Sequence, residues 1–123
     1  MTDWVKLAHM DDIADGGLLA VSVQEHRLVL VRDGVVVTAC QANCPHQMAK
    51  LVAGRLENGR LVCPHHLASF SLNDGKVSAG WEVADLRLYP IQITDDSILV
   101  DADAVRRNPP EGKKVTWNFA KPA

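Results

Sequence analysis

The sequence contains no run of about eighteen apolar residues, so it offers no helix able to span a bilayer. Its opening, Met1 to Lys6, lacks a basic start followed by an apolar stretch. That argues against a secretory leader and leads us to expect a cytoplasmic protein with no membrane contact. No glycine-rich phosphate loop, internal repeat or low-complexity tract is visible, and helical patterning is scarce. Cysteine is sparse and odd in number: Cys40, Cys44 and Cys63. A secreted disulfide framework prefers an even count, so these thiols are expected to be free or to hold a metal. A basic excess is also missing. Residues 1–105 carry eight Lys and Arg against fourteen Asp and Glu, while residues 106–123 carry five against one. An acidic body argues against a nucleic-acid partner. It suits docking to a basic patch on another protein, or simply keeps the molecule soluble.

What is present is a series of short apolar, β-capable runs divided by turn residues, within 123 residues, the length of one domain. Leu18–Val23 and His26–Arg32 read as strands, with Asp33-Gly34 as a two-residue hairpin turn and Val35–Thr38 as the return. Asn58-Gly59 turns the chain before Arg60–Cys63, and Asn73-Asp74-Gly75 turns it before Lys76–Ser78. Arg87–Ile93 alternates with period two, and Asp95-Asp96 leads into Ser97–Val100. Many short strands with frequent turns indicate an all-β antiparallel sandwich or barrel. Lys6–Ala14 and Asp101–Arg107 each have room for about one helical turn. After Asn108, Pro109-Pro110 and Gly112 direct the chain away from the core, with Trp117 and Phe119 available as anchors.

Two segments carry chemistry, Cys44-Pro45-His46 and Cys63-Pro64-His65-His66, separated by the sixteen residues Gln47–Val62. Each supplies one soft thiolate and one imidazole. Structural zinc usually takes cysteine pairs spaced by two to four residues and histidine pairs spaced by three to five. Cys-x-His is awkward for two ligands of a single tetrahedral ion. A two-iron cluster fits better, because its metals sit apart and one iron can take both cysteines while the other takes both histidines.

These two segments resemble the cluster loops of Rieske proteins. Phe70, Gly75 and the Leu88-Tyr89-Pro90 lead into a final strand pair extend the similarity over about residues 18–101, most closely to the ferredoxins of bacterial ring-hydroxylating dioxygenases. The resemblance implies the Rieske fold: an antiparallel β-sandwich over residues 1–105 with a small cluster-binding subdomain at about 42–80, followed by a C-terminal tail, 106–123. It also implies one [2Fe–2S] cluster held by Cys44, His46, Cys63 and His66. The implied role is not catalysis but single-electron transfer from a flavin-dependent ferredoxin reductase to a terminal Rieske oxygenase. Departures narrow the subfamily. Rieske proteins of respiratory and photosynthetic complexes carry a loop disulfide, and here Ala49 and Pro64 stand at those positions. Those proteins also place Ser and Tyr hydroxyls near the cluster sulfurs, where this chain has Ala68 and Phe70. Leu67 replaces a common glycine, and Gly80-Trp81 occupies the usual third-loop region, where Trp81 is a candidate shield.

The remaining candidates read more plainly. His65 is a solvent-facing neighbour of His66, and His9 and His26 are structural or exposed. Cys40 ends an apolar strand as a small buried hydrophobe. Trp4 is a core or tail anchor. Two other readings compete: the small Rieske-like subunit of an assimilatory nitrite reductase, and a zinc-stabilised binding module. The potential separates the subfamilies. With no hydroxyl on Ala68 or Phe70 to donate to sulfur, it is expected near the low end of the Rieske range, around −150 mV. It should be flat near neutral pH and fall only at alkaline pH, once oxidised His46 or His66 deprotonates. Protein-film voltammetry checks both features, and a value above about +100 mV would move the chain to the cytochrome-complex type.

Overall fold

The computed structural model describes residues 2–45, 49–64, 68–80 and 84–111. Within them the chain is nearly all β, with three antiparallel sheets and one short helix. The first sheet joins β1 (Trp4–His9), β10 (Ser97–Asp101) and β9 (Ile91–Thr94). The second runs β2 (Leu18–Val23), β3 (His26–Asp33), β4 (Val36–Gln41), β8 (Leu88–Tyr89). The third is the small meander β5 (Arg55–Glu57), β6 (Arg60–Val62), β7 (Ser69–Ser71).

The second sheet is the middle layer. Along β3, Leu28 and Leu30 join an apolar cluster with Ile98 and Val100 of β10. The intervening Val29 and Val31 join a different cluster with Leu61 of β6 and Phe70 of β7. Successive strand residues point to opposite faces, so a sheet covered on both sides needs an unbroken apolar run. All four residues of the run 28–31 are buried. The same split recurs on β8, where Tyr89 belongs to the first cluster and Leu88 packs against the second.

The turns explain most of the register. Asn58 and Gly59 both have positive φ, 51° and 75°, between Glu57 and its partner Arg60. Asp95 and Asp96 do the same at 51° and 63° between Thr94 and Ser97. Positive φ at both central positions is the hairpin geometry whose twist matches the flanking strands. The β3–β4 turn lies one residue later than expected: Asp33 pairs Val36, so Gly34-Val35 is the turn and Val35 is not part of the return strand. Only Gly34 there has positive φ, 65°, as a turn with glycine at its first central position requires.

Five further expectations change. Lys6–Ala14 does not start as a helix: β1 pairs with β10, and only Met10–Asp12 forms a 3₁₀ turn, capped by the His9 side chain. Trp4 is not a core residue, being 39% exposed. Arg87–Ile93 is not one strand. β8 pairs with β4 in the middle sheet and β9 with β10 in the outer one, and the switch falls at Pro90, which has no N–H for a ladder. Lys76–Ser78 contributes a single bridge, Val77 to Phe70. Finally, the chain stays on the body as far as Glu111, the last described residue. Tyr89 Oη donates to Asn108 O at 2.6 Å, Pro110 is buried, and Glu111 accepts from the Arg27 amide and meets His26 Nδ1 at 3.0 Å. Trp117 and Phe119 lie outside the described residues.

Asp101 closes the outer sheet. It ends β10 and caps α1 (Ala102–Arg107), its Oδ1 accepting from the amides of Asp103 and Asp3. Burial works to raise its pKa. The amide hydrogen bonds from Asp3, Ala104 and Asp103 and the charge of Arg107 outweigh that and hold the carboxyl below its ordinary value. A depressed pKa adds stability at pH above the unfolded carboxyl's value, and that contribution fades as pH falls through the folded one. Asp101→Asn should therefore flatten the acid limb of a plot of thermal midpoint against pH. An unchanged limb would assign the acid sensitivity elsewhere.

Candidate metal centre

Both cysteine segments sit at the junction between the middle sheet and the small meander. Cys63 follows β6 directly, and Ala68 precedes β7. The Cys63 amide donates to Ala68 O at 2.8 Å and closes a loop over the intervening four residues. The first segment follows β4, and its Cys44 amide donates to Ala49 O at 2.9 Å around a loop of the same length. The two loops thus share one construction: a cysteine at the base, a proline next, and an alanine carbonyl returning to the cysteine amide. Asn43 and Lys50 form a bridge below the first loop.

Cys44 and Cys63 are 3% and 0% exposed and lie in one apolar cluster with Leu51, Phe70 and Leu86. None of the three cysteines is in a disulfide. His46 and His66, the two expected imidazole ligands, lie outside the described residues, as do His65, Leu67 and Trp81. The described half of the donor set suits a [2Fe–2S] cluster. Two soft sulfur donors lie in one buried apolar cluster, each at the base of a loop of equal span. His46 and His66 belong by sequence to the four-residue arcs that those hydrogen bonds close. Ala68 and Phe70, both 0% exposed, line this end without a hydroxyl.

Cys40 is distinct. It is fully buried on β4, and burial pushes its thiol up to about 12, so it stays protonated and apolar as expected. His9 caps a turn and His26 holds Glu111, so both are structural.

Two residues that support the site, Gly54 and Gln41, carried no role in the sequence, and a third, Gly75, was marked there only as a turn and a point of family similarity. Gly54 has ordinary φ, but a Cβ there would collide with Val62 O, one residue before Cys63. Gly75 has φ +79°, and a Cβ would strike Leu86 O; its own carbonyl accepts from the Leu86 amide at 2.7 Å. Gln41 is one of two buried polar side chains among the described residues. Its signal was a lone amide between Cys40 and Ala42 at the end of an apolar strand.

The profile of the family described as Rieske [2Fe–2S] domain matches residues 3–90. The chain belongs to the Rieske [2Fe–2S] domain family. Its cofactor is accordingly one [2Fe–2S] cluster. The ferredoxin component of the naphthalene 1,2-dioxygenase system of Pseudomonas putida is 26% identical over 98 residues, 80% of this chain and 94% of that one. The ferredoxin component of the alkene monooxygenase system of Xanthobacter autotrophicus is 30% identical over 112 residues, covering 90% and 88%. Among solved structures, the ferredoxin of carbazole 1,9a-dioxygenase from Nocardioides aromaticivorans superposes with a TM-score of 0.74 at 29% identity, over 80% of this chain and 97% of that one. The antiparallel architecture of this Rieske chain agrees with those relatives.

Gly54 offers a direct check on how the second loop is held. Gly54→Ala must displace the β6 backbone at Val62, at a cost of about 1–3 kcal/mol. Denaturant unfolding should show that loss, and iron content per chain should fall with it. Full stability and full iron would show that the approach of Gly54 to β6 is not a constraint.

Proposed function

We propose that this chain is a soluble, cytoplasmic, low-potential electron carrier whose cluster is held by Cys44, His46, Cys63 and His66. It takes single electrons from a flavin-dependent ferredoxin reductase and gives them to a ring-hydroxylating terminal oxygenase. Catalysis belongs to those partners. Residues 1–105 form the Rieske domain, with its cluster-binding subdomain at about 42–80, and residues 106–123 are an appended segment. The observation that carries the reading is the pair of equal loops, each closed by a Cys-to-Ala backbone hydrogen bond, that bring Cys44 and Cys63 into one apolar cluster. Similarity to ferredoxin components over 80% and 90% of this chain supports the role. Among the described residues no helix is long and apolar enough to cross a membrane.

When bound, the cluster supplies a one-electron couple. The chain's own residues set the conditions for its use. Leu51, Leu61, Phe70 and Leu86 exclude water from the cysteine side. The two loop-closing hydrogen bonds tie down the bases from which the cysteines project, so little backbone need move as charge changes. As the proposed imidazole ligands, His46 and His66 would be the short route between iron and a docking partner. The encounter with each partner is small and transient, at the low end of interface sizes.

The purified protein should be red-brown, with two irons and two acid-labile sulfides per chain. On reduction its electron paramagnetic resonance should carry nitrogen couplings from imidazole. Alanine at Cys44, His46, Cys63 or His66 should each abolish that signal, whereas Cys40→Ser and His65→Ala should keep it. A colourless protein would mean zinc, an all-cysteine signal would remove both histidines, and loss of the cluster in Cys40→Ser with retention in Cys44→Ser would shift the ligand register.

A further inference from the structure

The two loops are built alike but supported differently. The second is flanked by ladder residues on both sides, Val62 of β6 and Ser69 of β7, which pair with each other. The first is flanked only by the isolated Asn43–Lys50 bridge and the Leu51 amide donating to Ala42 O at 2.9 Å, with no strand on either side of it. β4 ends at Gln41, and two residues, Ala42 and Asn43, intervene before Cys44. Beside this gap lies a cleft of about 160 Å³, lined by Gln41, Asn43, Cys44, Pro45, Arg87 and the Pro110-Glu111 segment.

The Gln41 side chain spans that gap. It is 3% exposed. Its Nε2 donates to Asn43 O at 2.7 Å, and its Oε1 accepts from the Arg87 amide at 2.7 Å. Its own backbone amide donates to Arg87 O at 3.1 Å. The peptide joining Asn43 to Cys44 is therefore gripped at both ends, its carbonyl by Gln41 and its N–H by Ala49 O. A buried amide satisfied at both of its ends is a specific, costly arrangement, and leaving its partners unpaired is worse than never having placed it. An apolar residue would fill the same space more simply, as Cys40 and Ala39 do beside it.

We infer that Gln41 is a positioning residue for the cluster. It fixes the Asn43–Cys44 peptide, and with it the Cys44 sulfur, against the Arg87 segment that leads into β8, reinforcing a lone bridge where Cys63 has a full strand ladder. This rests on the reading of Cys44 as a cluster ligand.

Gln41→Met keeps the length and apolar volume and removes both side-chain hydrogen bonds. Gln41→Glu keeps the acceptor for the Arg87 amide but loses the donor to Asn43 O. Both variants are compared with wild-type protein whose cluster has first been verified by iron, sulfide and electron paramagnetic resonance. Absence of the cluster in wild type overturns the function and the ligand assignment together. With the cluster present, Gln41→Met should load it, lose it to a chelator roughly tenfold faster, and show broadened resonance features from a spread of Cys44 orientations. Gln41→Glu should lose it at least as fast, because the tie to Asn43 is the one that matters. Chelator rates and line widths equal to wild type in Gln41→Met overturn the inference. So does a Gln41→Glu protein that behaves as wild type, since the Arg87 tie alone would then suffice. If neither variant folds, hydrogen exchange on wild-type protein decides. The Cys44 and Arg87 amides should open together, and independent opening rates overturn the coupling.

Discussion

Double burial of the β2–β3–β4–β8 sheet is the constraint on which the rest of the molecule depends. Because Leu28 and Leu30 face one layer and Val29 and Val31 the other, β3 cannot carry a polar residue at its centre without burying it. One face is satisfied by the β1–β10–β9 sheet. The other needs a cover, and the small meander together with the two cysteine loops supplies it. Cys44 and Cys63 are thus part of the layer that completes the core on that side. The same packing that hides Val29 and Val31 places both cysteines in one cluster.

This arrangement suits an electron carrier. A group that changes charge without changing geometry needs ligands whose positions are set by the fold rather than by the metal. The loop-closing bonds at Cys44 and Cys63 are backbone interactions, independent of what the thiols bind. The apolar neighbours have no dipoles to reorient, and Ala68 and Phe70 add no donor to sulfur. The proposed low potential and a small reorganisation would both follow from the same choice of residues.

The local parts of this design were legible in the sequence. The cysteine and histidine spacings lie within segments of three and four residues, and the turns at Asn58-Gly59 and Asp95-Asp96 announce themselves by residue type. What stayed hidden depends on partners far along the chain. β1 alternates Val5 and Leu7 inward, yet its partner is β10, with no adjacent turn to mark the pairing. Arg87–Ile93 has one period but two destinations, because the sheet that receives each half is set by tertiary packing. Gln41 meets Arg87 across 46 residues, and the need for Gly54 arises only from the approach of Val62 O. Periodicity reports which face is apolar and is silent about what covers it.

The burial of Cys40 has a practical corollary for anyone handling the protein. With its thiol pushed up to about 12 by burial, Cys40 stays protonated at ordinary pH, and the group is wholly enclosed. Cys44 and Cys63 are enclosed as well. With Cys40 enclosed and Cys44 and Cys63 taken up as the proposed cluster ligands, uptake of a thiol-directed dye becomes a clock for opening of the core and release of the cluster rather than a census of surface sulfur. The three cysteines lie on the meander side of the middle sheet, so the clock reads that side alone and is blind to fraying of the β1–β10–β9 layer.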